Sequence, residues 1–194
     1  MAKKTLIDKT IYISSVTDPY QPIEKELELT RSILKELLNY HKPRLVIQTR
    51  SPYVTRDIDL LKQFEIAQVN MTVTTDSEDV RKAFEPLCPS NKLRLKAIKE
   101  VTEAEIQTCI TMTPLLPIHN AKKFTEELLS TGVKKFIVQP FHPEKGKFVA
   151  STREIALEQM KKMNWSNDKY KEVVDIFKKE LPWLGEGKQG FAPI

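Results

Sequence analysis

IYISSVTDPYQPIE, residues 11–24, decides the fold. Ile11 to Val16 is a short, β-rich apolar run, and Pro19 and Pro22 stiffen the residues after it. Proline carries no N–H and holds φ near the helical value, so Pro22 opens a helix without losing a hydrogen bond. The stretch is a strand, a rigid turn and a helix start. From Ile23 onward, Leu27, Leu34, Leu37 and Leu38 recur at helical spacing to about Tyr40, which predicts one continuous helix with one apolar face.

The same unit repeats along the chain. Pro43 ends the helix, and Leu45 to Thr49 (LVIQT) is a second strand, followed by a short helix over Arg56 to Phe64. Ala67 to Thr75 (AQVNMTVTT) is a third strand, and Leu93 to Val101 a helix. Ile106 to Leu116 is a fourth strand with its turn. Asn120 caps a helix to Ser130, Gly132 stops it, and Lys135 to Gln139 is a fifth strand. Strands separated by helices pair in parallel through right-handed crossovers. The expected class is α/β: about five parallel strands with helices outside, as a partial βα barrel or an open doubly wound sheet. After Pro143 the pattern changes. Ser151-Thr152-Arg153-Glu154 is a capping box opening a helix to about Met163, Asn164 to Ser166 break it, and a second helix covers Asp168 to Lys179. The tail from Gly185 reads as irregular. The chain thus divides into a sheet-bearing part, 1–143, and a helical extension, 144–194.

A chain of 194 residues, 40% hydrophobic and 29% charged, has enough apolar residues for one core. No apolar run can span a bilayer, and no signal core follows Met1-Ala2-Lys3-Lys4-Thr5, so a cytoplasmic location is expected. The net charge of +5 permits a nucleic-acid partner, but the lysines are spread along the chain, which favours the reading of solvated helix faces. The two cysteines, Cys88 and Cys109, lie on different predicted elements without C-x-x-C spacing and read as free thiols. His41, His119 and His142 do not cluster with them, so no metal site is expected. Phosphate-cradling, serine-elbow and zinc-protease motifs are absent from the sequence.

Ligands of parallel sheets bind at the carboxyl ends of the strands, so those turns matter most. Asp18 in the first turn is either a local cap or a binding group. Arg50, just past the second strand, either holds an anion bidentately or is a surface charge. Thr72 and Thr74 share a face of the third strand, as core packing or as donors. Glu85 can meet Arg94 as a structural ion pair, and His119 is either an acid–base group or incidental.

Taken in order, the motifs TDPYQPIE (17–24), TR (30–31), QTRS (48–51), RDIDLL (56–61), TTD (74–76), FEPLCPS (84–90), RL (94–95) and PLLPIHN (114–120) strongly resemble those of the radical S-adenosylmethionine (radical SAM) family that includes spore photoproduct lyase and related DNA-repair-photolyase-like proteins. The resemblance covers about Ile11 to Pro140. It implies a partial barrel of the radical SAM type and lyase-type, DNA-repair-like chemistry. It implies that Thr17, Asp18 and Gln21 receive the methionine amino end of S-adenosyl-L-methionine. Arg50, where the family usually has lysine, would contact the carboxylate. Thr72 stands where the family usually has serine, near the same group, and Thr113 and Pro114 would line the adenine side. The family's first strand is followed by C-x-x-x-C-x-x-C, whose three thiolates hold a 4Fe–4S cluster. That triplet is not in this sequence, so no self-contained cluster and no unaided radical chemistry are expected. The resemblance further implies that a cluster-bearing chain, a second copy or residues 3–8 cover the edge of the first strand. The alternative is a non-catalytic remnant that binds S-adenosyl-L-methionine, a nucleotide or nucleic acid.

Overall fold

The computed structural model describes residues 6, 9–14, 17–40, 42–141, 154–187 and 191. Six strands pair in parallel in chain order: β1 (Thr10–Ile13), β2 (Arg44–Thr49), β3 (Ala67–Thr72), β4 (Gln107–Leu115), β5 (Phe136–Pro140) and β6 (Leu184–Glu186). The expected α/β class with parallel strands and helices outside is what the chain adopts, with one strand more. Strand order equals chain order, and because neighbours are parallel each strand joins the next by a crossover.

Side chains alternate across a strand, and the register aligns them in rows. Leu45, Ile47, Val69, Met71, Ile110, Met112, Phe136 and Val138 share one face and form the core. Against them pack Leu34 and Leu37 of α2 (Leu29–Tyr40), Ile98 and Val101 of α5 (Asn91–Glu103), Phe124 and Leu128 of α6 (Ala121–Leu129), and Val173 and Phe177 of α8 (Asn167–Glu180). The other face carries Tyr12, Gln48, Gln68, Asn70, Thr72 and Thr111, with Val46, Cys109 and Ile137 among them. A buried parallel sheet is ordinarily apolar on both sides. Here one side is polar.

Several expectations are corrected. The helix expected from Pro22 to Tyr40 is two helices, α1 (Glu24–Leu27) and α2, parted at Glu28, which has φ 46. The Glu24 carboxylate accepts from Thr30 N–H at 2.9 Å and so satisfies an orphan donor of the second helix start. The break turns part of the predicted apolar stripe outward: Leu27 and Leu29 are 64% and 60% exposed. The helix expected over Arg56 to Phe64 is a 3-10 turn (Pro52–Asp57) and the short α3 (Ile58–Leu61). An additional α4 (Glu78–Phe84) starts at Ser77, whose side chain accepts from Val80 N–H. The tail at Gly185 is not irregular: it lies in β6, paired with Ile137. α7 (Glu154–Lys162) follows the expected capping box, of which residues 151–153 lie outside the described ones.

The loop after β2 is tied to both helices that precede it. Asp57, wholly buried, meets Arg31 at 2.7 Å and Arg56 at 2.9 Å, and Arg56 also meets Glu24 at 2.9 Å. Arg31 reaches the exposed Asp59 at 2.6 Å. Removing one partner of a buried pair leaves an uncompensated charge, whereas an exposed pair is screened. Asp57→Ala should therefore lower unfolding free energy by about 3–5 kcal/mol, and Asp59→Ala by about 1 kcal/mol or less. Urea unfolding of both variants checks this, and equal losses would refute it.

Candidate functional site

The carboxyl ends of β1 and β2 meet at one carboxylate. Asp18 accepts from Tyr20 N–H at 2.9 Å and from the Thr49 hydroxyl at 2.7 Å through Oδ1, and from Arg50 N–H at 2.7 Å through Oδ2. Both oxygens are committed, so Asp18 acts as a brace between the first two strand ends. The brace sets the backbone of Arg50, whose Nε donates to Glu85 Oε1 at 3.2 Å. Glu85 also pairs with the wholly buried Arg94 at 2.7 Å and accepts from the Thr74 hydroxyl at 3.3 Å. Arg94 is further held by the carbonyls of Thr72 and Pro89 at 3.0 and 2.9 Å. The expected ion pair between Glu85 and Arg94 is present, with Arg50 as its third member. The Arg50 side chain remains 35% exposed, and its two Nη groups carry no partner among the described residues.

Asp18, Gln21 and Arg50 line a cavity of about 640 Å³ together with Lys25, Tyr53 and Cys88. Arg56 stacks over the Tyr53 ring at 4.7 Å and Lys25 lies 5.8 Å from its centroid, so this wall is fixed by cations. Two basic groups and an aromatic wall suit a ligand with an anionic end. Tyr20, buried beneath, has its phenol pushed well above the ordinary range, first by burial and then by Asp57. Thr17 is exposed and lines a neighbouring groove of about 420 Å³. Thr72 is wholly buried on the polar face. Its hydroxyl exchanges a hydrogen bond with Thr111 at 2.9 Å and accepts from Gln48 at 3.4 Å. Thr113 and Pro114 are half-buried near the end of β4 and are joined by a cis peptide bond. The structure thus gathers Asp18, Gln21 and Arg50 around one cavity, and Thr72 is not among its lining residues. His119 sits before α6, where its N–H and that of Asn120 donate to Asp76.

The two thiols are apart in character. Cys88 lies between α4 and α5, its thiol pushed up by burial and by Glu85. Cys109 is buried on the polar face of β4, where burial pushes its thiol up to about 12. Among the described residues no three His, Cys, Asp or Glu side chains are grouped to hold a metal ion, and no helix is long and apolar enough to cross a membrane. Sequence reading missed Gln48, Gln68, Asn70 and Tyr12. Their only signal was alternation with Ile47, Val69, Met71 and Ile11, and they were absorbed into apolar strands.

A profile described as the radical SAM superfamily matches residues 2–129. An uncharacterized protein of Methanocaldococcus jannaschii is 38% identical over 117 residues, 60% of this chain and 44% of that protein. An uncharacterized protein of Acidianus two-tailed virus is 28% identical over 128 residues, 66% of this chain and 42% of that one. The matched stretch is thus less than half the length of either relative. Among solved structures, a spore photoproduct lyase mutant with bound AdoMet and dinucleoside spore photoproduct superposes at TM-score 0.59 and 15% identity, covering 93% of this chain and 61% of that one. Streptococcus suis SuiB bound to S-adenosylmethionine superposes at 0.53 and 13%, covering 91% and 36%. At such identities these two establish a shared fold.

The ion network makes opposite demands on its members. Glu85→Gln strands a buried guanidinium and should cost about 3–5 kcal/mol. Arg50→Gln removes a partly exposed partner and should cost about 1 kcal/mol or less. Thermal melts of the two variants give the comparison, and an Arg50 variant as unstable as the Glu85 variant would contradict the assignment.

Proposed function

We propose, because the chain belongs to the radical SAM superfamily, that it is the S-adenosyl-L-methionine-binding part of a radical SAM fold whose cluster is held by cysteines outside these 194 residues. The observation that carries this reading is Arg50. It is held by its backbone N–H to Asp18 and by Nε to Glu85, and it lines a cavity of about 640 Å³. A guanidinium so fixed is preorganised for a carboxylate. Gln21 and Lys25 on the same wall add donors, and by resemblance Thr17 and Thr113 belong to the same site.

The described thiols do not fit a 4Fe–4S cluster. Such a cluster with one open iron takes three thiolates close together. Cys88 and Cys109 are two, on separate elements, and burial disfavours the thiolate of each. When the cluster and S-adenosyl-L-methionine are both bound, they supply radical chemistry through reductive cleavage of the sulfonium. By resemblance, the assembled protein is a lyase acting on a damaged pyrimidine in DNA.

Support for an outside contributor comes from the β1 side. Among the described residues β1 pairs only with β2. Beside it Ile13, Ile23, Leu27, Leu29 and Ile33 line the groove of about 420 Å³, and the last four are exposed. An unpaired strand edge next to an apolar groove is what an added strand and its helix would cover. A second copy of the chain is the competing occupant.

Two measurements test the reading. Equilibrium dialysis against S-adenosyl-L-methionine should give binding that Arg50→Gln weakens by about tenfold or more, one charge-assisted hydrogen bond's contribution, with the melt lowered only by the small cost of the partly exposed pair. Undiminished binding by that variant would refute the role of Arg50. Leu27→Glu with Ile33→Glu should abolish association with a cluster-bearing chain, or self-association, on size exclusion while leaving dialysis unchanged. Persistence of the larger species would refute the assignment of the groove.

A further inference from the structure

The cavity of about 640 Å³ is larger than a seat for one carboxylate. Cavities of about 300–1,000 Å³ hold whole drug-sized ligands, lined by apolar and aromatic side chains with a few placed polar groups. This one has that composition. Beyond Gln21 and Arg50, its lining includes Pro22, Pro52, Tyr53 and Leu87.

Tyr53 is fixed as a flat wall. It follows Pro52 in the 3-10 turn, and its N–H donates to the Ser51 hydroxyl at 3.3 Å. Arg56 lies over the ring at 4.7 Å and is itself held by Asp57 and Glu24 at 2.9 Å each. The ring is therefore backed by a guanidinium that is tied in place. Lys25 stands off at 5.8 Å and is exposed, so it can move aside. Leu87 adds an apolar lip. It is 93% exposed, the highest value among the large hydrophobic side chains of the described residues. A loose loop does not account for this. The carbonyls of Glu85 and Cys88 on either side accept from Arg81 at 3.1 and 2.6 Å, and that of Pro89 accepts from Arg94 at 2.9 Å. Leu87 is thus held out in solvent beside the cavity, and a ligand with an apolar surface would cover it.

A flat aromatic wall and an apolar lip beside a guanidinium suit a planar ring joined to an anionic end. Nucleobases stack on such walls through their π-faces. By resemblance the adenine side falls to Thr113 and Pro114, but neither lines this cavity. A ligand whose carboxylate meets Arg50 here has Tyr53 and Leu87 to receive its ring.

We propose that Tyr53 and Leu87 form the subsite for a planar heteroaromatic ring, the adenine of S-adenosyl-L-methionine, beside the carboxylate seat at Arg50. The identity of the ligand rests on the reading of Arg50 given above. The ring subsite is tested apart from it, with adenosine, which has no carboxylate.

The test is protection of Cys88, which lines the same cavity, against N-ethylmaleimide in the full chain. Mass spectrometry follows Cys88 and, as reference, Cys109, which is buried on the polar face. Adenosine should slow the labelling of Cys88 and leave that of Cys109 unchanged. Tyr53→Leu keeps apolar bulk and removes the flat ring. It should raise the adenosine concentration for half-protection about tenfold, one stacked base's contribution, while Tyr53→Phe stays within about twofold of wild type. Leu87→Ser changes an exposed side chain on which the fold does not depend, and it should raise that concentration as well. No protection by adenosine would overturn the ring subsite. So would undiminished protection in both Tyr53→Leu and Leu87→Ser, or a loss in Thr113→Val with none in Tyr53→Leu. Adenosine protection without any binding of S-adenosyl-L-methionine would support the ring subsite and refute the carboxylate seat.

Discussion

The Asp18 carboxylate is the constraint on which the carboxyl edge of the sheet depends. A parallel strand that ends in a loop leaves backbone N–H groups without ladder partners, and those groups must be satisfied. Asp18 takes two of them, from Tyr20 and Arg50, together with the Thr49 hydroxyl. Fixing the Arg50 backbone fixes where its guanidinium starts, which brings it to Glu85, and Glu85 neutralises the buried Arg94. The dependence thus runs from the loop after β1 to the start of α5. Other acids do similar work. Asp76 takes the N–H groups of His119 and Asn120, Glu78 that of Asn91, and Glu24 that of Thr30. These carboxylates position loops.

The legible part of the fold rests on local periodicity. Strand alternation and helical spacing located β1 to β5 and most of the helices, and Asn120 and Gly132 bounded α6 through capping chemistry that acts within a few residues. The break at Glu28 was not legible. A left-handed glutamate has no signature, and the compensating bond from Thr30 to Glu24 spans six positions. β6 was hidden for a different reason. Its three residues include Gly185, and only the pairing with Ile137 makes them a strand. The candidate site divides in the same way. Arg50 and Asp18 could be picked out as polar residues at strand ends, but the commitment of both Asp18 oxygens depends on residues about thirty positions away.

The polar face was harder still to read. In AQVNMT, Val69 and Met71 alternate with Gln68, Asn70 and Thr72, which by pattern is a half-exposed strand. In the fold every residue of β3 is buried. Polar side chains in that position are stable only when each finds a partner. They find them across strands, through Thr72 with Thr111 and Gln68 with Lys135, and in the tail. Cross-strand partners depend on register, which no single segment encodes.

The partners also form one connected circuit. Asn70 donates to the Tyr12 hydroxyl at 3.5 Å, Tyr12 donates to Gln48 Oε1, and Gln48 donates to Thr72 at 3.4 Å, which reaches Thr111. Asn70 and Thr72 are two residues apart on one face, about 7 Å. The carbonyl of Phe191 at one end and the strand-end rim at the other therefore draw on the same set of donors, and such networks strengthen or weaken together. Tyr12 is the member that lies on β1, the strand with an unpaired side among the described residues. Tyr12, Gln48, Thr72 and Asn70 thereby join the β1 edge, the carboxyl end of β3 and the Phe191 carbonyl in one run of hydrogen bonds.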